Sequence, residues 1–142
     1  MIRYRSDRLR PLLAALLESQ SRLASLAQMS FTEFMGNPHY AGSARYHLIA
    51  AAEGIVDIAH HLIAQNRWRS PETYGEAVQI LGEHQVVPFE LSQRLAGLIR
   101  LRNRLVDRYW ETDDREVFQI IPEALRDIEI SFRRSGRPWD SP

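Results

Sequence analysis

The chain has 142 residues, enough for one globular domain, and 44% of them are hydrophobic, as in an ordinary globular protein. All 18 basic residues are arginines and they balance 18 acidic residues, so the zero net charge excludes a protein that coats nucleic acid with its whole surface. The absence of cysteine excludes disulfides, thiolate metal ligands and cysteine nucleophiles. We find no signal-like leader and no apolar run of spanning length, and we therefore expect a cytoplasmic protein without membrane contact.

Apolar residues recur at helical spacing along almost the whole chain, and strand patterns are nearly absent. The sequence therefore predicts an all-α bundle of four to five helices in one domain over residues 1–136, followed by a loose tail over residues 137–142. In chain order, the long helices are expected over about residues 6–28, 41–66, 70–82, 88–109 and 113–135, with a short helix over about residues 31–35.

Local signals support several of these boundaries. Ser30 followed by Glu33, and Asp113 followed by Glu116, each have the spacing of a capping box at a helix start. Pro122 lies inside the last predicted helix, where it is expected to kink the helix or delay its start.

One charged residue interrupts an apolar face of the helix predicted over residues 88–109. Steps of three and four residues place six side chains on that face: Leu91, Leu95, Leu98, Arg102, Leu105 and Tyr109. A guanidinium is rarely buried without a partner, so the position predicts an anion beside Arg102. That anion is either a carboxylate of the protein, with Glu53 and Asp57 as candidates, or a phosphate from outside.

Four further arginines lie on the same predicted helix: Arg94, Arg100, Arg104 and Arg108. Such a strip is able to contact phosphates. The simpler interpretation, which we favour for these four, is that they are solvated and pair with acids on neighbouring helices.

A group of acids and histidines shares one side of the helix predicted over residues 41–66; it consists of Glu53, Asp57, His60 and His61. Asp57 and His60 have the acid-x-x-His spacing of carboxylate-bridged di-metal bundles. The sequence offers no second copy of this motif, so we expect no metal and no cofactor. We predict instead a polar seam that joins this helix to its neighbours or lines a subunit contact.

Three segments resemble HepT-like proteins, the toxin half of HEPN/nucleotidyltransferase toxin–antitoxin pairs of bacteria and archaea: AAEGIVDIAHH at 51–61, PETY at 71–74 and RNRLVDRY at 102–109. The last segment is the most specific, because the family signature there is Arg, four residues, His, one residue, Tyr. Arg102 and Tyr109 are in register and Asn103 follows the arginine, as is usual in the family. Residue 107, however, is aspartate where the family has histidine.

This resemblance implies an HEPN-type helical bundle that forms a homodimer with both motif helices facing one cleft. It further implies a metal-independent endoribonuclease, the toxin of a type VII-like pair, in which Arg102 binds the scissile phosphate of RNA. Asn103, Arg104 and Arg108 are further RNA-binding candidates. Tyr109 would accept AMP groups that a cognate MNT-type nucleotidyltransferase antitoxin transfers from ATP, and the added charge and bulk would block the cleft.

Asp107 stands at the position of the family's general acid or base. A free aspartate is a carboxylate at neutral pH and has no proton to donate, and Arg104, Arg108 or Arg102 nearby would favour that charge further. A carboxylate about 4 Å from a phosphate charge repels it by about 4 kcal/mol at an effective dielectric constant of about 20. We therefore predict that this chain cleaves RNA poorly or not at all.

Two other functions agree with the same residues. The first is a non-catalytic homodimeric module whose arginine-lined cleft binds RNA, a nucleotide or only the antitoxin. The second is an ordinary oligomerising helical domain in which Arg102 merely pairs with Asp57 or Glu53.

Overall fold

Residues 2–133 are described by the structure, a computed structural model, and they contain six α-helices and no strand. The helices are α1 (Ser6–Ala27), α2 (Phe31–Met35), α3 (Pro38–Asn66), α4 (Tyr74–Glu83), α5 (Phe89–Asp107) and α6 (Asp114–Ile128). A 3-10 turn (Tyr109–Glu111) links α5 to α6, and a π-helical turn (Glu129–Arg133) follows α6. The predicted all-α class is confirmed. The predicted tail over residues 137–142, and a helix end just before Gly136, lie outside the described residues.

Helix α3 is the centre of the bundle, because it packs against α1, α2, α4, α5 and α6. One continuous core forms around it, and several of its largest side chains are fully buried: Leu16, Ile55, Leu62, Ile80, Leu95 and Ile99. Burying apolar area of this kind is the main force that holds helices together in a bundle.

By length and composition alone, α3 is apolar enough to cross a membrane, contrary to our expectation that no segment reaches spanning length. Half of its most apolar window is buried inside the bundle, as in the core helix of a soluble protein. The observation is therefore weak evidence for a membrane span.

Side-chain caps fix most helix starts where the sequence predicts them. Ser30 and Glu33 form the expected capping box at α2, and the Asp113 carboxylate accepts a hydrogen bond of 2.8 Å from the Glu116 amide at α6. Helix α6 continues through Pro122, which does not delay its start.

Two predicted starts are wrong, one by three residues and one by four. Helix α3 begins at Pro38 rather than near residue 41, since the Asn37 side chain caps it and a proline is tolerated at the first helical position. Helix α4 begins at Tyr74 rather than near Ser70, because Thr73 is the residue whose hydroxyl accepts the capping hydrogen bond.

Helix α5 ends earlier than the apolar spacing predicts. It begins after Pro88 as expected, but its last residue is Asp107, and Arg108 has a non-helical backbone with φ −143° and ψ 54°. Tyr109 therefore lies in the following 3-10 turn and is 64% exposed, so it does not continue the buried face of α5. The four leucines of that face are all buried: Leu91, Leu95, Leu98 and Leu105.

Candidate functional site

Arg102 lies where α5 meets α3 and the start of α4. Its Nη2 donates a hydrogen bond of 3.0 Å to Glu53 Oε1 on α3, and its Nη1 donates one of 3.1 Å to Asn103 Oδ1. The guanidinium carbon lies 5.5 Å from the centre of the Tyr74 ring, an arrangement that favours a cation. Of the two carboxylates that we considered as partners, Glu53 is the one that binds.

The guanidinium of Arg102 is only partly occupied by these contacts. Its side chain is 20% exposed, and its Nε atom is buried without a hydrogen-bond partner among the described residues. Glu53 is itself about half exposed, so the pair lies at the surface and not inside the core. Arg102 is therefore able to exchange part of its contacts for an external anion.

The seam residues on α3 connect the helix to three different neighbours. Glu53 binds Arg102 of α5, His60 makes an edge-to-face ring contact with Tyr74 of α4, and His61 Nε2 accepts a hydrogen bond of 3.0 Å from the Arg5 amide just before α1. Within residues 2–133, no three His, Asp or Glu side chains come together in a way that could hold a metal ion.

Burial changes the proton affinity of two members of the seam. It raises the pKa of Asp57, an effect that nearby His60 opposes. It lowers the pKa of His61, and the positive charges of Arg5 and Arg8 lower that pKa further.

Asp107 is the last residue of α5 and its side chain is exposed. We expected Arg104, Arg108 or Arg102 to favour its charge, but none of them contacts it: across residues 2–133, no arginine nitrogen lies within 4.0 Å of its carboxylate. Arg104 and Arg108 instead approach Glu116 at 3.8 Å and Glu111 at 3.6 Å. A step of five residues also turns about 140° around a helix, so Arg102 and Asp107 do not lie side by side.

The other arginines of α5 behave largely as solvated surface residues. Arg94 lies 2.5 Å from Asp127 Oδ1 of α6, and burial raises the pKa of that carboxyl although Arg94 opposes the effect. Arg100 has no acid within 4.0 Å among the described residues. The predicted pairing with an acid on a neighbouring helix is thus found for Arg94 and Arg104 but not for Arg100.

Arg45, on α3, holds the turn that carries Tyr109, and sequence reasoning missed it. Its guanidinium donates hydrogen bonds to the backbone carbonyls of Tyr109 (3.3 Å) and Thr112, and to the Asp114 carboxylate (3.0 Å). These contacts fix the turn after α5 and leave the Tyr109 ring against Trp110, with both rings mostly exposed. The signal was available, since Arg45 is the only charged residue between Pro38 and Glu53.

A family model described as "Ribonuclease HepT-like" matches residues 16–134, most of the chain. The chain belongs to the ribonuclease HepT-like family. The segment that suggested this family, with Arg102, Asn103 and Tyr109, lies within the matched region.

A curated relative, the tRNA nuclease HepT of Aphanizomenon flos-aquae (strain 2012/KM1/D3), is 32% identical over 82 residues. The matched segment covers 58% of this chain and 56% of that relative. The likeness therefore spans little more than half the length of the relative.

Solved toxin–antitoxin structures have the same fold. A toxin–antitoxin crystal structure with AMP-PNP superposes with a TM-score of 0.81 at 20% identity, covering 89% of this chain and 96% of the other. A tri-AMPylated HEPN toxin of Shewanella oneidensis in complex with its MNT antitoxin gives 0.81 at 21% identity, covering 89% and 95%. A mutant MntA–HpeT toxin–antitoxin gives 0.79 at 21% identity with the same coverage. At this level of identity the likeness shows the fold alone.

Proposed function

We propose that this HepT-like chain is the toxin of a cytoplasmic toxin–antitoxin pair, built on the scaffold of a metal-independent endoribonuclease that binds RNA at Arg102. The observation that carries the proposal is the state of the Arg102 guanidinium. It is fixed by Glu53, Asn103 and Tyr74, yet it remains open to solvent and keeps one buried N–H unused. A planar guanidinium held in this way suits a phosphate.

The aspartate at position 107 reduces the activity of this scaffold. Endonucleolytic cleavage without a metal needs one group to remove the proton of the 2′-hydroxyl and another to protonate the leaving oxygen. Histidine changes its charge near neutral pH and is suited to both steps, whereas an exposed carboxylate is suited to the first only. Asp107 also adds a negative charge where an RNA phosphate has to bind.

A second copy of the chain completes the site in this proposal. Arg102 and Asp107 diverge by about 140° around α5, so residue 107 is not directly beside Arg102 within one chain. Tyr109 and Trp110, in the turn that follows α5, are 64% and 68% exposed. Exposed aromatic side chains of this size favour burial against a partner, and a homodimer would bring two motif helices to one cleft.

Tyr109 is the acceptor for AMP in this proposal, and a cognate MNT-type nucleotidyltransferase is the antitoxin. Its ring is exposed, and Arg45 holds the turn beneath it through two backbone carbonyls. Transfer of AMP from ATP to the Tyr109 hydroxyl releases pyrophosphate and places negative charge beside the cleft, where it repels RNA.

The catalytic part of the proposal is tested by restoring the family residue. The Asp107→His protein is incubated with tRNA and with other RNA in the absence of divalent metal. We expect cleavage in Asp107→His, little or none in the chain as it stands, and none in the double variant that also carries Arg102→Ala. Binding of RNA without cleavage in any form would instead favour a non-catalytic binding module, the alternative function that the carboxylate at position 107 supports.

The regulatory part is tested by mass spectrometry after incubation with ATP and the cognate nucleotidyltransferase. We expect mass additions of AMP on the peptide that carries Tyr109, and none in Tyr109→Phe. Modification of the Tyr109→Phe protein would show that another residue accepts AMP and would refute this assignment.

A further inference from the structure

Three arginines form a row on the side of α5 that faces away from Arg102. Arg100 and Arg104 of α5 are four residues apart, which places them about 6 Å apart along the helix with a turn of only about 40°, and Arg108 follows four residues later, directly after the last residue of α5. A step of two residues turns about 200°, which places Arg100 and Arg104 on nearly the opposite side of α5 from Arg102. Together with their neighbours the three line a shallow cavity of about 480 Å³, formed by Gly97, Arg100, Leu101, Asn103, Arg104 and Arg108.

The positive charges of this row are weakly compensated. Arg104 lies 3.8 Å from Glu116, and Arg108 lies 3.6 Å from Glu111; both distances exceed that of a normal hydrogen bond, and all four side chains are substantially exposed. Arg100 has no carboxylate within 4.0 Å in the part of the chain that the structure describes. Such exposed pairs contribute little, so a stronger anion can displace their carboxylates.

The two cavities along α5 differ in the charge of their lining residues. Arg100 and Arg104 also line the cavity between α5 and α6, about 600 Å³ in volume, but there they lie among three acids, Glu90, Glu123 and Asp127. Arg94, in the same cavity, lies 2.5 Å from the Asp127 carboxylate. The smaller cavity over Arg100, Arg104 and Arg108 has no acidic residue in its lining. The positive charge that no lining acid balances is therefore found at the smaller cavity, in the C-terminal half of α5, and a polyanion is attracted there more strongly than to the cavity between α5 and α6.

Asn103 connects the two sides of α5. Its Oδ1 accepts a hydrogen bond from Arg102 Nη1, and the same residue lines the cavity over the arginine row. We propose that Arg100, Arg104 and Arg108 form a second phosphate-binding surface, which holds the flanking strand of the RNA whose reacting phosphate lies at Arg102. This inference depends on the proposed function, because it assumes that RNA occupies the Arg102 site.

The occupant is RNA rather than a protein because the row presents three positive charges at regular spacing around a cavity that no acidic residue lines. A nucleic-acid strand presents phosphates as a regular series of negative charges, and each arginine that contacts one releases bound counterions. The slope of log affinity against log salt concentration therefore reports the number of arginine–phosphate contacts. An acidic protein surface is the competing occupant, and the experiment separates the two.

The test compares two double variants that remove the same charge. Arg100→Gln with Arg104→Gln alters the row, and Arg10→Gln with Arg22→Gln removes two exposed arginines of α1. Affinity for a fluorescent tRNA transcript is measured by anisotropy, without divalent metal, between about 50 and about 200 mM salt. Circular dichroism checks that both proteins are folded.

We expect the slope of log affinity against log salt to fall by about 0.7 for each row arginine removed, hence by about 1.4 for the row variant, and to stay unchanged in the α1 control. An unchanged slope in the row variant overturns the inference. If Arg102→Gln still lowers the slope in that case, the proposed RNA function stands without the second surface; if it does not, both fail. Loss of affinity for the cognate nucleotidyltransferase, with RNA binding intact, would make the row a protein-docking surface.

Cleavage kinetics supply a second readout. In the Asp107→His protein, the row variant should raise KM for tRNA several-fold with kcat unchanged, since flanking contacts bind substrate and transition state equally. A short oligonucleotide that spans only the Arg102 site should be cleaved normally. Equal losses on both substrates would indicate damage to the cleavage site and would contradict the inference.

Discussion

At the residue scale, the Arg102 guanidinium is held by contacts within the protein and is also partly exposed to solvent. Glu53 and Tyr74 hold the side chain in place, while its remaining exposure of 20% leaves part of it accessible to the phosphate that we propose. Glu53 therefore acts against RNA binding in two ways, since it neutralises Arg102 and repels phosphates.

Replacing Glu53 with Gln should strengthen RNA binding. The substitution keeps a hydrogen-bond acceptor near Arg102 but removes the carboxylate charge. We expect affinity to rise by up to about fivefold, which corresponds to the ~1 kcal/mol that an exposed ion pair contributes at most. Glu18→Gln, whose carboxylate pairs with Arg22 on α1, is the matched control for the change of net charge. Weaker binding in Glu53→Gln would mean that the pair is needed to hold Arg102 in its binding position.

Two histidines should make the stability depend on pH. Burial lowers the pKa of His47 and His61 below the ordinary 6.5, and protonation of His61 would also break its hydrogen bond with the Arg5 amide. A lowered folded pKa means that the unfolded chain binds more protons, so this contribution is present above pH 6.5 and is lost as pH falls through the lowered pKa. Urea unfolding should show declining stability from pH 7 to pH 5, and a smaller decline in the double variant His47→Gln, His61→Gln. An unchanged decline would assign it to other groups.

At the scale of elements, the side chain of Arg45 connects α3 to the turn that carries Tyr109. Arg45 donates hydrogen bonds to the carbonyls of Tyr109 and Thr112, and the Tyr109 carbonyl also accepts a long backbone hydrogen bond of 3.5 Å from the Thr112 amide. The turn between α5 and α6 therefore depends on a contact with α3, over 60 residues earlier in the chain.

Arg45→Met should loosen this turn while leaving the bundle folded. We expect a loss of about 1–3 kcal/mol, because the hydrogen bonds involve a charged group. Amide hydrogen exchange should become faster over residues 108–113, and AMP transfer to Tyr109 should slow in parallel. Arg45→Lys, which keeps the charge but not the fork of donors, should recover only part of both effects. Normal exchange over residues 108–113 in Arg45→Met would show that other contacts hold the turn.

The contact between α4 and α5 depends on one glycine. A Cβ atom added at Gly82 would come within 2.7 Å of Ser92 Cβ, and Ser92 is fully buried. Gly82→Ala should therefore destabilise the protein by about 1–3 kcal/mol through overpacking. Gly75→Ala, in the first turn of the same helix and with nothing within 4 Å, should be neutral or stabilising by up to about 1 kcal/mol. Equal midpoints of urea unfolding for the two variants would contradict the close approach.

At the scale of the whole molecule, the two ends of α5 offer a test of the proposed homodimer. Trp110, just beyond the C-terminal end, and Phe89, at the N-terminal end, are 68% and 58% exposed. They are separated by about 27 Å along the helix, so only one of them is expected in an interface centred on the Arg102 motif. Trp110→Glu should shift the protein towards monomer in sedimentation experiments, whereas Phe89→Glu should not. The reverse pattern would place the interface at the other end of the bundle.

The sequence by itself determined the local features of this protein. Periodic apolar residues specified helices that the structure contains, and the Ser30 and Asp113 caps fixed two starts, because these signals act over a few residues. Three segments, of which RNRLVDRY is the most specific, indicated the family. The sequence also predicted an anion beside Arg102, since a guanidinium on an apolar face needs a partner.

Only the tertiary structure decided which partner each charged group has. It selected Glu53 over Asp57 for Arg102, brought Arg45 of α3 onto the turn after α5, and paired Arg104 with Glu116 of α6. The physical reason is that helical periodicity gives the direction of a side chain on its own helix but not the distance to residues on other helices. Hydrogen bonds and ion pairs require that distance within a few tenths of an ångström, and only the packing of the whole bundle supplies it.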